Sequence, residues 1–283
     1  SSRQEKLEKN DNTTRWIVSI RMSTLLEVVM ELKADKKVIV ERNNKVVYDN
    51  GDTVVKVFSG SKPSADIMNE ALNLTRAEQA GINVPSLVEI SKVGNCWAVS
   101  TRKVEGKTIR QLIEEHPEKE DEYLNKFIDI ELAIHAHKAP LLTRQKDKFT
   151  RMINSIPDIL DEATRYELLL KLDGMKPHTK VCHGDFVPSN VILAEDGAPV
   201  ILDWAHATQG NGAADCATTY LHLLLHGDEE LAEKYINLYC TKQGCTRQYV
   251  NEWLGIIAAA ELARGRVKET EFLLKWVNVF DAM

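Results

Sequence analysis

The period of the hydrophobic pattern changes near residue 101, and this change limits what the chain can fold into. Before that point apolar residues occur in short, partly alternating runs, whereas beyond Gly106 they mostly recur every three or four positions. Alternating runs indicate strands, and a spacing of three to four residues indicates helices. With only 14 glycines and 8 prolines, the composition also disfavours a loop-rich all-β sandwich. The sequence therefore predicts an α+β fold with a small N-terminal antiparallel sheet and a larger, mostly helical C-terminal part.

The first part of the chain contains five candidate strands, at 38–40, 46–48, 54–58, 87–91 and 97–101. The first three form a meander, because Asn43-Asn44 and Asn50-Gly51 suit the positive φ angles of two-residue hairpin turns. Between the third and fourth strands, apolar residues recur at helical spacing over 67–80, and Gly81 marks the end of that helix. We therefore expect a five-stranded antiparallel sheet with one helix.

Helical spacing dominates the rest of the chain, with candidate helices at 109–115, 120–137, 149–155, 162–172, 213–225, 229–242, 248–264 and 269–280. The exception is 179–204, where two short apolar runs flank an Asp196-Gly197 turn and predict a strand hairpin. No repeat or long linker separates the two parts. We expect an N-terminal domain over 22–103 and a C-terminal domain over 104–283, and we interpret 1–21 as a candidate extension outside the fold.

Charge and cysteine usage exclude several classes of function. The net charge of −6 argues against a general nucleic-acid binder, because neutralising phosphates requires a basic face. The five cysteines are odd in number and contain no CxxC pair, which is typical of reduced thiols in the cytosol. No apolar run approaches the length of a membrane span. We expect a cytoplasmic protein that acts on a small partner, without nucleic acid or membrane.

Three oxygen-bearing side chains are spaced as in phosphoryl-transfer sites. Asp185 and Asn190 are separated by four residues in a proline-containing loop, and Asp203 follows an apolar strand later in the chain. Such a set can direct its oxygens to one point, and Mg²⁺ prefers oxygen ligands together with substrate phosphates. Kinases use the same layout for a catalytic base and two metal ligands. The pattern therefore predicts Mg²⁺-dependent transfer of a phosphoryl group.

The string His183-Gly184-Asp185-x4-Asn190, followed by Ile201-Leu202-Asp203-Trp204, resembles the aminoglycoside phosphotransferase and choline kinase-like group of small-molecule kinases. The likeness extends forward through 210–215 and back to the Leu-His helix at 132–136. These kinases share the bilobal protein-kinase-like fold. The resemblance implies ATP or GTP as co-substrate, Mg²⁺ as cofactor and a hydroxyl group of a small molecule as the acceptor.

The resemblance also implies a role for each matching residue. Asp185 corresponds to the catalytic base, and Asn190 and Asp203 correspond to the Mg²⁺ ligands. His183 and Asp215 are then supporting residues that orient the loop. The implied nucleotide contacts are Lys56, Glu70, Ser100, Thr101, Arg102 and Lys103. Lys56 and Glu70 have a second argument, because a lysine on a valine-rich strand requires a counter-charge if it is buried.

Two features depart from the family pattern and keep alternatives open. The turn over 42–45 contains no glycine, so it either contacts phosphate through Arg42 or Lys45 or is a plain hairpin. This turn motivates a second hypothesis, a catalytically silent nucleotide-binding module of the same fold. Trp204-Ala205 after Asp203 argues against a regulated protein kinase.

The remaining alternatives concern the metal and the acceptor. A two-metal hydrolase built on His183, Asp185 and His206 would leave Asn190 and the lysine-bearing sheet unexplained. The family's acceptors include antibiotics, choline or ethanolamine, homoserine and sugars, and a metabolite is as good a candidate as a drug. A mild acidic excess over 203–283 tolerates a polycation without specifying one.

Overall fold

The computed structural model describes residues 29–278, so the candidate extension over 1–21 lies outside the described residues. The contacts divide the chain into two units. Within the described residues, the first consists of 29–63 together with Val88–Ser100, and the second consists of Ser64–Leu87 and 101–278. The two units are described separately below.

The first unit is built on a five-stranded sheet with the strand order β1-β2-β3-β5-β4. Its strands are β1 (Lys37–Arg42), β2 (Lys45–Asp49), β3 (Thr53–Phe58), β4 (Leu87–Val93) and β5 (Cys96–Arg102). The pairs β1–β2 and β2–β3 are antiparallel, as predicted. The positive φ expected in the two turns is found at Gly51, but the prediction is wrong for Asn43, Asn44 and Asn50. Met30, Val55 and Ala98 form its small buried core. The predicted fold class is confirmed, with this sheet in the N-terminal part and helices in most of the rest.

The helix that follows the third strand, α1 (Ser64–Gln79), belongs by its contacts to the second unit. It ends just before Gly81, whose φ of +91° is a left-handed conformation that favours glycine. Leu74 and Ala77 enter the core of the second unit. The side-chain amide of Asn73 donates a hydrogen bond to the Trp204 carbonyl oxygen at 3.2 Å. The helix is thereby tied to the segment that follows Asp203.

The second unit contains eight further helices within residues 29–278. They are α2 (Ile109–Glu115), α3 (Glu120–Ala136), α4 (Gln145–Asn154), α5 (Glu162–Gly174), α6 (Gly212–Leu225), α7 (Glu229–Gln243), α8 (Arg247–Leu262) and α9 (Thr270–Asn278). Their bounds follow the predicted ones closely, except that α4 begins four residues earlier, at the buried Gln145. Helices α6 and α8 are buried on nearly all sides and form the centre of the main hydrophobic core.

Five short strands complete the second unit: β6 (Lys107–Thr108), β7 (Lys180–Cys182), β8 (Val191–Leu193), β9 (Pro199–Ile201) and β10 (Thr208–Gly210). They form a three-stranded sheet β6-β8-β9 and the antiparallel pair β7–β10. The hairpin β8–β9 was predicted. The other three strands were missed, because two or three residues are too few to display a hydrophobic period.

Over residues 29–278, each helix is too short or too polar to cross a lipid bilayer. All five cysteines are free thiols, and Cys182, Cys216 and Cys240 are buried. A cytoplasmic location stays a prediction.

Candidate active site

The segment between β7 and β8 carries the predicted catalytic loop. Strand β7 ends at Cys182, and the loop closes with a single 3-10 turn over Pro188–Asn190. The backbone amide of Leu202 donates a hydrogen bond to the Asn190 carbonyl oxygen at 2.8 Å. The loop and the end of the β8–β9 hairpin are therefore joined one residue before Asp203.

Asp185 and Asn190 are in direct contact across this loop. The Asn190 side-chain nitrogen Nδ2 donates to the backbone oxygen of Asp185 at 2.9 Å and lies 3.3 Å from its carboxylate atom Oδ2. Because Nδ2 makes both contacts, the amide oxygen is the Asn190 atom left to serve as a cation ligand. The negative charge of Asp203 acts on Asp185 in the direction that raises its pKa.

The backbone of Asp203 is unusual. Its φ is +60°, and it is the one non-glycine residue with a positive φ in the part of the chain that the structure describes. Aspartate tolerates this conformation better than most residues do, but the conformation still costs free energy. Such conformations cluster where a side chain must be held in a particular direction. This observation supports a functional role for the Asp203 carboxylate.

His183 is fully buried and links the two halves of the loop. Its ring atom Nδ1 accepts a hydrogen bond from the Asp185 backbone amide at 3.2 Å, so the ring proton is on Nε2. Nε2 in turn donates to the Leu202 carbonyl oxygen at 2.8 Å. The imidazole also packs edge-on against Trp204, with ring centroids 4.7 Å apart. His183 is therefore placed to hold the backbone on both sides of the site.

Asp215, near the start of α6, holds the beginning of the loop. Its carboxylate accepts hydrogen bonds from the backbone amides of His183 at 2.9 Å and Gly184 at 2.8 Å, and its Oδ2 lies 2.9 Å from His135 Nε2. Burial alone raises the pKa of Asp215, but the hydrogen bonds and the charge of His135 outweigh burial and lower it. The carboxylate is therefore an ionised, fully engaged acceptor.

Gly184 occupies a position where a side chain does not fit. Its φ is +80°, and a Cβ atom built on it would lie 2.5 Å from the His206 carbonyl oxygen. Both the conformation and the close approach of the backbone require glycine. The glycine of the predicted motif is thus explained by the packing of the loop against residue 206.

Two residues that the sequence analysis missed complete the surroundings of Asp185. His222 Nδ1 lies 3.0 Å from Asp185 Oδ1, and its Nε2 lies 3.1 Å from Glu261 Oε2. Burial lowers the pKa of His222, but the neighbouring Glu261 and Asp185 carboxylates raise it to about 9. His222 is therefore an imidazolium near pH 7, and it donates both of its N–H groups.

The same contact sets the charge of Asp185. Burial raises the pKa of this carboxyl, but the hydrogen bond and charge of His222 hold it well below its usual range. Glu261 behaves alike: burial raises its pKa, while Arg264 and His222 lower it to about 2. A continuous run of ionised groups thus leads from Asp185 through His222 and Glu261 to Arg264.

Helix α6 positions the loop through one of its faces. Asp215, Thr219 and His222 are spaced by four and three residues, so they share that face. Thr219 Oγ1 donates to the Phe186 carbonyl oxygen at 2.7 Å, between the contacts made by Asp215 and His222. Polar residues at this spacing on an otherwise apolar helix were the sequence signal from which His222 could have been found.

The predicted nucleotide contacts are distributed over both units. Lys56 lies on β3, opposite Val47 of β2, and Ser100 lies on β5; both belong to the first unit. Glu70 is a buried residue of α1 in the second unit. Thr101, Arg102 and Lys103 also belong to the second unit. The roles of all six residues stay predictions.

The donors around the loop suit a hard cation. The amide oxygen of Asn190 and the carboxylate of Asp203 are oxygen ligands of the kind that Mg²⁺ takes in proteins, with water and phosphate completing its shell. The chemistry of this donor set fits Mg²⁺ better than Zn²⁺, which favours nitrogen and sulfur.

Comparisons with known proteins bear on the family and the fold of this chain. The model of the phosphotransferase enzyme family matches residues 39–249. A search of the curated proteins gave no match. Among solved structures, a thermostable mutant of aminoglycoside phosphotransferase APH(4)-Ia in its apo form is 14% identical, with a TM-score of 0.65 over 87% of this chain and 93% of that chain.

Two further structures are similar. A thermostable mutant of APH(4)-Ia in ternary complex with AMP-PNP and hygromycin B is 16% identical, with a TM-score of 0.62 over 86% of this chain and 90% of that chain. The choline kinase LicA from Streptococcus pneumoniae is 15% identical, with a TM-score of 0.56 over 94% of this chain and 99% of that chain. At such low identity these likenesses show the fold. Because the family model covers most of the chain, this protein belongs to the phosphotransferase enzyme family.

Proposed function

We propose that this protein transfers the γ-phosphoryl group of a nucleoside triphosphate, ATP or GTP, to a hydroxyl group of a small molecule. The observation that carries the proposal is the state of Asp185, an ionised carboxylate in contact with Asn190 and fixed on its other side by His222. The similar APH(4)-Ia structure is described as a complex with a nucleotide analogue and an aminoglycoside, which supports a nucleotide and a hydroxyl-bearing acceptor here.

Asp185 acts on the acceptor in this proposal. Its Oδ1 is held by His222 at 3.0 Å, whereas Oδ2 makes only the longer contact with Asn190 among the hydrogen bonds of the described residues. We assign Oδ2 to the acceptor hydroxyl, which it orients in line with the phosphoryl group. A carboxylate with a strongly lowered pKa is a weak proton acceptor. Its main contribution is therefore positioning, which suits the loose transition state of phosphoryl transfer.

The other predicted residues bind the nucleotide. Asn190 and Asp203 would hold Mg²⁺, which when bound neutralises phosphate charge. Lys56 would contact the phosphates with Glu70 as its partner, and the backbone over 100–103 would contact the base. The positive φ of Asp203 supports its part in this assignment, because it holds the carboxylate in a direction the loop itself would not favour.

The test is an acceptor screen coupled to ADP and GDP formation, with Mg²⁺ present. We expect acceptor-dependent turnover, and we expect Asp185→Asn to lower kcat about 10²- to 10⁴-fold with little change in nucleotide affinity. Asp173→Asn, an exposed position on α5, is the matched control and should leave kcat unchanged. Equal turnover by Asp185→Asn and the native protein would refute the role of Asp185.

A silent nucleotide-binding module is the second candidate, favoured by the glycine-free turn between β1 and β2. It predicts tight nucleotide binding without turnover for any acceptor. The same screen, combined with a direct nucleotide-binding measurement, separates the two candidates.

A further inference from the structure

A cavity lies beside the candidate catalytic loop, entirely within the second unit. We call it the cationic cavity. Its wall includes Gly184 of the loop, and its polar lining residues include Gln145, Lys148, His206, Asp215, Glu261 and Arg264. Gly184 directly precedes Asp185, the residue to which we assign the acceptor hydroxyl.

Lys148 reaches this cavity from α4 with most of its hydrogen-bonding capacity unused. Its Nζ donates to the His206 carbonyl oxygen at 2.9 Å. Within residues 29–278, no carboxylate lies within ion-pair distance of this ammonium group, which has three N–H donors. A buried ammonium without a counter-charge is costly. Consistent with this, burial and the nearby Arg264 lower the pKa of Lys148 to about 7.

Arg264, at the end of α8, is the second cation of the cavity. Its Nη2 pairs with Glu261 Oε1 at 3.0 Å, and its side chain is 12% exposed. Its other two nitrogens, Nε and Nη1, are buried without a hydrogen-bond partner in the described part of the chain. A buried donor without a partner costs about 1–3 kcal/mol, and more when it is charged. Two such nitrogens on one side chain indicate a missing acceptor.

Both carboxylates that line the cavity already have hydrogen-bond or ion-pair partners. Asp215 accepts from two backbone amides and lies 2.9 Å from His135 Nε2, and Glu261 pairs with His222 and Arg264. His206 is neutral, because burial, Arg264 and Lys148 hold its pKa well below the usual range. Open donors remain on Arg264 and on Lys148, whose amine has a pKa of about 7 and becomes more fully protonated when an anion lies beside it.

We propose that the cationic cavity binds an oxyanion, a carboxylate or phosphate group, that belongs to the acceptor. The acceptor is then a hydroxyl-bearing anion and not a polycation such as an aminoglycoside. The anion fills the open donors of Lys148 and Arg264 while the hydroxyl reaches Asp185. The assignment of this oxyanion to the acceptor rests on the proposed function. The anion site itself is inferred from the residues that line the cavity.

The first experiment measures anion binding without catalysis. The full chain is unfolded thermally in sodium acetate or, separately, inorganic phosphate, at ionic strength held constant with sodium chloride. We expect a saturable rise in Tm with at least one of the two anions, and the better anion identifies the oxyanion. Lys148→Gln and Arg264→Gln should raise the half-saturating concentration at least tenfold. The exposed matched controls, Lys268→Gln and Arg266→Gln, should leave it unchanged.

Several outcomes overturn the proposal. One is a Tm of the native protein that responds to neither anion; another is a response that persists in the Lys148→Gln, Arg264→Gln double variant. Competitive loss of the response with Mg²⁺-ADP would assign the cavity to nucleotide phosphate instead. Lys148→Met and Arg264→Met add no unfilled polar atom to the buried site, so they replace any glutamine variant that does not fold.

The second experiment tests the acceptor. Nucleotide consumption is compared for glycerate and glycerol, for 4-hydroxybutyrate and 1,4-butanediol, and for hygromycin B. We expect kcat/KM at least tenfold higher for the anionic member of a pair, with the preference lost in Lys148→Gln. Turnover of hygromycin B or a neutral alcohol that is unaffected by Lys148→Gln and Arg264→Gln overturns the acceptor assignment. Anion binding without turnover of any compound overturns the proposed function and leaves the anion site standing.

Discussion

The two units differ in whether they bury titratable side chains. In the described part of the first unit, the buried polar side chains are the uncharged Asn50, Ser91 and Ser100. The buried acidic and histidine side chains among residues 29–278 all lie in the second unit: Glu70, Glu131, His135, His183, Asp215, His222 and Glu261. The first unit is a small sheet with a minimal core, whereas the second surrounds its charges with a large one.

This difference has a physical cause. A small sheet removes little surface from water, so it has little hydrophobic free energy with which to offset a buried charge. A large core can hold ionised groups, provided that each is paired and hydrogen-bonded. Fixed charges in a dry environment are also what phosphoryl transfer requires. The comparison teaches that the candidate chemistry depends on the core of the second unit.

Truncating the core beneath the loop should have the largest effect. Phe127 is fully buried and stacks on Phe186, the residue directly after Asp185, with ring centroids 4.3 Å apart. We expect Phe127→Ala to lower the free energy of unfolding by about 3–5 kcal/mol. Val55→Ala, in the small core of the first unit, should cost only about 1.5–2 kcal/mol, because it removes two methyl groups. Urea unfolding measures both, and a loss for Phe127→Ala no larger than that for Val55→Ala would contradict the tight packing of Phe127 beneath the loop.

Two glycines with positive φ give a matched test of the loop. A Cβ at Gly184 would meet the His206 carbonyl, whereas one at Gly94, in the β4–β5 turn, would meet nothing within 4 Å. We expect Gly94→Ala to cost about 1–2 kcal/mol from its backbone conformation alone. Gly184→Ala should cost about 2–5 kcal/mol, because the steric clash is added.

Catalysis is the second measurement on these variants. Gly184→Ala should abolish acceptor-dependent turnover at a temperature where it is still folded, and Gly94→Ala should not. A Gly184→Ala protein as stable and active as the Gly94→Ala protein would contradict the close contact with residue 206.

A feature of the molecule could be predicted when its pattern is local in the sequence. Elements with a clear period, such as β3 and α6, were predicted with nearly their observed bounds. The oxygen set Asp185, Asn190 and Asp203 was also proposed from the sequence, because its spacing is local; the structure brings Asp185 and Asn190 into contact, and the role of the set stays a prediction. Its chemistry could be inferred without knowing how the loop is held.

The parts that were missed depend on contacts far apart in the chain. His222 meets Asp185 across 37 positions of sequence, and Glu261 meets His222 across a further 39. Residues at such separations leave no common pattern in a single sequence. Lys148 and Arg264 are similar. In the sequence each is typical of a solvent-exposed charge on a helix, and only the packing of α4 against α8 brings them into one cavity.

The buried imidazolium gives the last test, and it depends on pH. His222 has a pKa of about 9 in the folded protein, against about 6.5 for a histidine in an unfolded chain. Its pairing therefore stabilises the fold fully below pH 6.5, and this stabilisation is lost as pH rises through 9. A difference of that size corresponds to about 3 kcal/mol.

We expect the native protein to lose up to about 3 kcal/mol of unfolding free energy between pH 6.5 and 9.5 that His222→Gln does not lose. Urea unfolding at the two pH values measures this difference, with the exposed His116→Gln as control. Near pH 7, His222→Gln should also lower kcat about 10- to 100-fold, because Asp185 loses the contact that fixes Oδ1. The KM for nucleotide should change little, since His222 contacts the carboxylate and not the predicted nucleotide residues. A parallel pH dependence in both proteins would mean that His222 is not charged in the fold. The series of buried ionised side chains distinguishes the second unit from the first, and it would then lack its central member.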